Sequence, residues 1–326
     1  MLCPPSPPPS SCSGSCSLPW ASASGGNRNW IGVGSLSVQP SEIAKIGLVL
    51  GGALVLERKR ELLGSIKHAL VPFVAPIAPG MVLLVMLGND LGTAMVIVAI
   101  VVGMLFAAGI QLRWFVLGGG VPAVLGFPAA SIGNNRMERI RVWLDPAQCA
   151  PGTDSFYGIC RQSIHGRYAL ADGGWLGVGL GASREKWGWL SEPYNDFIFA
   201  IIGEELGLLG SLAILALFAA FALAGLRLVS RTDDFFVRIA TAGICSRVLV
   251  QAIINIGAVI GMLPVIGVPL PFVSSGGSSL VTSMLAVGVL LSFARAEPGC
   301  SEMIAAQPSR VRALLARFPS RRTSTR

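Results

Sequence analysis

Apolar residues run in long blocks along this chain, separated by polar segments. Seven blocks, at 41–56, 69–87, 91–109, 113–131, 197–225, 236–263 and 278–294, approach or exceed the length a helix needs to cross a bilayer. A helix rises about 1.5 Å per residue, so about 20 apolar residues cover a hydrocarbon layer of roughly 30 Å. Each block therefore predicts a transmembrane helix. The block at 41–56 is short for a full crossing, and Pro72, Pro76 and Pro79 predict a bend in the second. The predicted fold class is all-α, a polytopic membrane helix bundle. One long polar loop, 132–196, separates its fourth and fifth spans.

Composition supports this picture. The chain is 52% hydrophobic and 13% charged, about half the charge of an ordinary soluble domain. A net charge of +8 would point to nucleic acid in a soluble protein. Here the basic residues flank apolar blocks. Four lie in Glu57–His68, followed by Arg113, by Arg227 and Arg231, and by seven arginines from Arg295 onward. With alternating spans all of these fall on one face, which the positive-inside rule makes cytoplasmic. Membrane lipids are expected partners and nucleic acid is not. The 132–196 loop balances seven basic against seven acidic residues and is expected on the outer face, with 88–90 and 264–277. Residues 1–27, rich in Pro, Ser and Cys, read as a disordered segment. Residues 28–295 read as the membrane domain and 296–326 as a basic cytoplasmic tail.

Seven cysteines are scattered without a zinc-like pattern. Cys149 and Cys160 fall together in the long loop. In an oxidising compartment they can form a disulfide; unpaired thiols are the alternative.

Ionisable groups inside a span cost about 2.5–3.5 kcal/mol each on insertion scales, so each needs a reason. Glu42 and Lys45 are three apart and share a helix face. Arg247, Gln251 and Asn255 recur every four residues and form a polar stripe. Glu204 and Glu205 fall two turns into the fifth span. Together they predict a polar cavity between helices, or polar contacts that glue helices together. In the loop, Arg139 and Arg141 of ERIRVWLDP carry guanidinium forks suited to phosphate. The run Gly173–Gly181 is a flexible turn or a close approach to a ligand. Glu192 and Asp196 stand just before the fifth span, where an aspartate serves either as a helix N-cap or as a functional carboxylate.

Several long segments resemble the SEDS family of FtsW, RodA and SpoVE. They are NWIGVGSLSVQPSEIAKIGLVL from Asn29, NDLGTAMVIVAIVVGMLFAAGI from Asn89, ERIRVWLDP from Glu138, GGWLGVGLGASREKWGWL from Gly173, NDFIFAIIGEELGLLG from Asn195 and QAIINIGAVIGMLPVIGVPLPFVSSGGSSL from Gln251. The resemblance implies a ten-helix fold whose first three spans would precede Asn29, so the chain reads as N-terminally truncated. It is more similar to the division branch, and to actinobacterial members, than to the elongation branch. The implied activity is a peptidoglycan glycosyltransferase acting on lipid II, an undecaprenyl-pyrophosphate-linked disaccharide-peptide. Implied partners are a class B penicillin-binding protein transpeptidase and other divisome or elongasome proteins, in the bacterial plasma membrane at the division septum. Asp196 would be the general base. Arg139, Arg141, Glu42, Lys45, Glu192, Arg247, Gln251, Asn255, Ser274, Gly276 and Gly277 would line the substrate site, with a divalent cation, Mg or Mn, as an assistant. Tyr194 stands where the family carries a histidine, and Val265-Ile266 where it often has a threonine pair. A lipid II flippase and an inactive scaffold that recruits a transpeptidase are the alternatives.

Overall fold

The computed structural model describes residues 21–24, 27–33, 36–62, 77–88, 90–110, 134–150 and 152–297. The expected span at 113–131, the first part of 69–87, residues 1–20 and the tail from 298 lie outside the described residues.

The chain enters the bundle through a small antiparallel meander, β1 (Ala21–Ser24), β2 (Asn27–Val33) and β3 (Leu36–Val38), in the order β1-β2-β3. The bundle that follows is all-α, as the sequence predicts, and β1 lies within the segment read as disordered. Ser24 pairs with Asn27, and Val33 with Leu36.

The helices follow. They are α1 (Pro40–Arg58), α2 (Ala78–Leu87), α3 (Leu91–Ala107), α4 (Asn134–Leu144), the short α5 (Asp154–Tyr157), α6 (Cys160–Gly173), α7 (Ile198–Arg231), α8 (Phe235–Val259) and α9 (Gly277–Arg295). By length and apolar composition α7, α8 and α9 can cross a membrane; α2 and α3 are shorter apolar helices. Their starts follow local chemistry. Pro40 opens α1, where its missing N–H is not needed. Asp90 caps α3 by accepting from the Thr93 amide at 2.9 Å, and Asp234 caps α8 through the Val237 amide at 3.1 Å. The sixth block ends at Val259, before its expected limit of 263, because Gly261 turns with φ 84 ahead of Pro264.

The apolar blocks do two different jobs. α8 is buried along most of its length and packs against α1, α3 and α7. Small residues let these helices approach. Gly103 of α3 lies against Ser246, Gly243 against Met104 and Val49, and Gly225 of α7 against Cys245. α7 instead turns Leu212, Leu217, Leu223 and Leu226 outward, as a helix facing lipid does. One apolar core joins α1, α3 and α8 around Val49, Ile97, Ile100, Met104 and Ile239. A second, around Phe197, Phe199, Ala252 and Leu270, sits where α7 begins.

The segments expected on the outer face meet at one end of the bundle. Gln39 donates to Asp90 at 3.2 Å, Arg139 to the Val265 carbonyl at 3.2 Å and Asn255 to the Asp196 carbonyl at 2.7 Å. At the other end, Arg60 lies over the Phe235 ring.

Candidate active site at the outer end of the bundle

Asp196 lies in the loop that leads into α7. The N-cap position of α7 is Phe197, and no side chain caps this helix. The Asp196 carboxylate is therefore not spent on capping. It is partly buried and lines a small cleft with Ile254, Asn255, Val265 and Gly267. Gly267, at φ 80, carries the 264–277 loop past it. A Cβ there would sit 3.6 Å from Oδ2. Burial pushes the Asp196 carboxyl up from an ordinary 3.8 to about 6. The Asp196 amide hydrogen bond opposes this, the nearby Glu192 charge adds to the rise, and Arg139 pulls the other way.

Two segments frame the carboxylate. Ser274 Oγ donates to the Asn195 carbonyl at 2.6 Å and accepts from the Leu270 amide at 2.7 Å. The Ser275 amide donates to the Tyr194 carbonyl, and its hydroxyl to Asn195 Oδ1, both at 3.0 Å. Two non-glycine residues with left-handed backbone, Glu192 (φ 57) and Phe272 (φ 67), lie one on each segment. Such conformations cost about 1–3 kcal/mol each and persist where surrounding contacts impose them.

Residues 134–150 and 152–196 of the long loop fold over this end. α4 presents Arg139, Val142 and Trp143 on one face, and the Trp143 indole donates to the Gly261 carbonyl at 3.1 Å. Arg139 thus stands beside Val265, on the rim of the Asp196 cleft. Arg141 is exposed on another face of α4 and is not brought to the carboxylate. Glu192 is exposed, accepts from Asn195 Nδ2 at 2.6 Å and stands near enough for its charge to act on Asp196. A disulfide joins Cys149 to Cys160, tying the 3-10 turn Pro146–Cys149 that follows α4 to the start of α6.

The other expected site residues divide. Ser274 and Asn255 use their polar groups on the backbone that holds Asp196. Gly276 occupies the N-cap of α9 and Gly277 begins that helix. Glu42, Lys45 and Arg247 form a sealed ion cluster rather than a cavity. Glu42 bonds Lys45 at 2.6 Å and Arg247 at 2.8 Å, while Arg247 also donates to Thr282. The cluster lies eight residues below Asn255 on α8, about 12 Å along the axis. Gln251 is buried between them.

Glu204 and Glu205 do not face a cavity either. Glu204 accepts from Ser183 Oγ at 2.6 Å and the Arg184 amide at 2.7 Å, and Glu205 pairs with Lys186 at 2.5 Å. Just beyond them α7 breaks at Gly207 (φ 69, ψ −162). The glycine-rich run docks on this break. The Val178 and Gly179 amides donate to the Glu204 and Glu205 carbonyls, and the Leu208 amide to the Gly174 carbonyl. A Cβ at Gly173, Gly177 or Gly207 would overlap backbone across the junction. The sequence signal for this dock was the set of glycines itself.

A divalent cation fits poorly as a resident cofactor. Asp196 and Glu192 supply two carboxylates, and among the described residues no group of three His, Cys, Asp or Glu side chains converges.

A family model described as cell cycle protein, FTSW_RODA_SPOVE, matches residues 16–298. The chain is 40% identical over 276 residues to stage V sporulation protein E of Bacillus subtilis, covering 83% of this chain and 72% of that protein. It is 40% identical over 273 residues to the probable peptidoglycan glycosyltransferase FtsW of Mycobacterium tuberculosis, covering 84% of this chain and 51% of that protein. The chain thus spans about half the length of the mycobacterial relative. Among solved structures, a chain of a peptidoglycan synthase complex matches with a TM-score of 0.64 at 24% identity, over 86% of this chain and 77% of that one. RodA of Thermus thermophilus matches with a TM-score of 0.53 at 23% identity, over 86% and 73%. These two share the fold. With the match to the family model and the identity to both bacterial relatives, this multi-pass membrane chain belongs to the FtsW, RodA and SpoVE family.

Proposed function

We propose that the chain is a peptidoglycan glycosyltransferase that polymerises lipid II at the outer face of the bacterial cytoplasmic membrane. Asp196 is the general base. Its carboxylate takes the proton from the 4-hydroxyl of the acceptor sugar. The freed oxygen bonds to the anomeric carbon of the donor, and the bond from that carbon to the diphosphate breaks. The lipid diphosphate leaves with the electron pair. Arg139 on the cleft rim stabilises the charge that develops on it. The chain works at the division septum beside a class B penicillin-binding protein, which cross-links the strand.

The observation that carries this reading is a partly buried carboxylate, free of capping duty, whose pKa is raised to about 6. Such a group is ionised at neutral pH yet is a stronger base than an ordinary carboxylate. The transport alternative calls for a polar path between the helices. The mutual pairing of Glu42, Lys45 and Arg247 favours the enzyme.

The test is polymerisation of lipid II by the purified protein with its transpeptidase partner, read as glycan ladders on a gel. Asp196→Ala is expected to abolish the ladder while the protein elutes as a folded species. Ladders at the wild-type rate would refute the assignment.

A further inference from the structure

Asn255 is at the outer end of α8 and is 2% exposed. Its Nδ2 donates to the Asp196 carbonyl and to the Val268 carbonyl, each at 2.7 Å. Both amide hydrogens are therefore used, on partners 59 and 13 residues away. The opposite orientation of the amide would set Oδ1 against two carbonyl oxygens, so the two acceptors fix which way it points.

We propose that Asn255 is a positioning residue for the Asp196 carboxylate. It holds the segment before α7 against the 264–268 turn and so sets the depth at which the carboxylate meets the acceptor hydroxyl. This rests on the reading of Asp196 as general base, and it moves Asn255 from the substrate-contacting set to the frame behind the base. The carbonyl that Asn255 grips belongs to Asp196 itself, so the grip fixes the backbone from which the carboxylate projects. The restraint is needed because an ionised carboxylate in a cleft gains free energy by swinging toward water. Residues 191–197 form no helix or strand that would resist the swing. The second grip, on Val268, ties down the loop that carries Gly267 past Oδ2 and Val265 beneath Arg139. One buried amide thereby sets the spacing of base, cleft wall and guanidinium together. The charged groups that face Asp196 are Glu192 from its own segment and Arg139 from α4.

The experiment measures kcat, KM for lipid II and the pH–rate profile of the full chain with its transpeptidase partner. It compares wild type, Asn255→Ala and Asn255→Asp. Misplacing a base by about 1 Å costs on the order of a hundredfold in rate. Both variants are expected to lose roughly tenfold to a hundredfold in kcat, with KM within about twofold of wild type. For Asn255→Ala the midpoint of the acid limb should fall toward that of an ordinary carboxylate as the segment relaxes into water. A raised KM with kcat unchanged would make Asn255 a substrate contact and overturn the proposal. A lost kcat with an unmoved acid limb would make it a merely structural residue, with the same consequence. Where Asn255→Ala does not fold, Ser274→Ala, which releases the neighbouring Asn195 carbonyl, is read by the same criteria. If Asp196→Asn keeps wild-type activity, the general-base reading fails and this proposal with it. If Asp196→Asn is inactive while Asn255→Ala keeps the wild-type profile, the positioning role alone fails.

Discussion

Asp196→Asn should make the protein more stable and catalytically silent, and the size of the first effect should depend on pH. Burial raises the Asp196 carboxyl from 3.8 to about 6. A carboxyl with a raised pKa holds its proton more tightly in the fold than in the unfolded chain. The native state is then relatively favoured at low pH and loses stability as the pH climbs from about 4 to about 6. Above both values the penalty is complete. A difference of about two pH units at 1.36 kcal/mol each comes to about 3 kcal/mol. Asparagine has nearly the same shape and no charge to desolvate, so the variant escapes this penalty. Unfolding of both proteins in detergent at about pH 4 and about pH 7.5 should give equal stability at the lower pH. At the higher pH the variant should be ahead by up to about 3 kcal/mol. The wild-type rate should rise about tenfold between pH 5 and its neutral plateau, as the base ionises, while the variant makes no glycan. A stability difference of the same size at both pH values, or of opposite sign, would refute the reasoning.

Two further changes test the frame. Gly207→Ala forces an alanine into a backbone that glycine alone adopts readily, and drives its Cβ onto Gly177 N and the Trp175 carbonyl. It should cost at least about 3 kcal/mol, visible as a lost folded peak in size exclusion, and wild-type stability would count against the dock. In the buried cluster Glu42 is the carboxylate that both Lys45 and Arg247 bond, so Glu42→Gln strips both cations of their hydrogen-bonded counter-charge at a cost of about 3–5 kcal/mol. Arg247→Met leaves a neutral pair and should cost clearly less; the reverse order in denaturation would contradict the pairing.

Much of this architecture is legible in one dimension because the bilayer imposes a length. The blocks at 41–56, 91–109 and 278–294 became α1, α3 and α9 within two residues at each end. What the sequence hides is non-local. Glu204 and Glu205 look like intramembrane charges until Ser183, Arg184 and Lys186 fold back onto them, which moves the effective start of the apolar span beyond Gly207. Whether Asp196 caps α7 is settled neither by its position nor by its neighbours in the chain. The structure excludes the cap, because α7 has no side-chain cap, and leaves the carboxylate open to the proposed role. Arg139 and Arg141 are equivalent on paper, and only the rotation of α4 separates the rim residue from the exposed one. Asn255 was visible as part of a stripe, but its partners lie on two other segments, and no spacing rule points to them. The strands β1 to β3 were not foreseen because they are short and follow a Pro/Ser-rich stretch.

The segment that carries Asp196, the proposed base, is tied by Asn255 to α8, the helix clad by protein on most of its surface, while α7 and α9 turn leucines outward. A bilayer that thickens or thins exerts its stress on the helices it wets. α7, with its outward leucines, is the helix such a stress is expected to load, and the break at Gly207 is the joint at which it would tilt. Because Asn255 ties the Asp196 carbonyl to the sheltered helix, the proposed site is expected to keep its geometry as the acyl chains around α7 change.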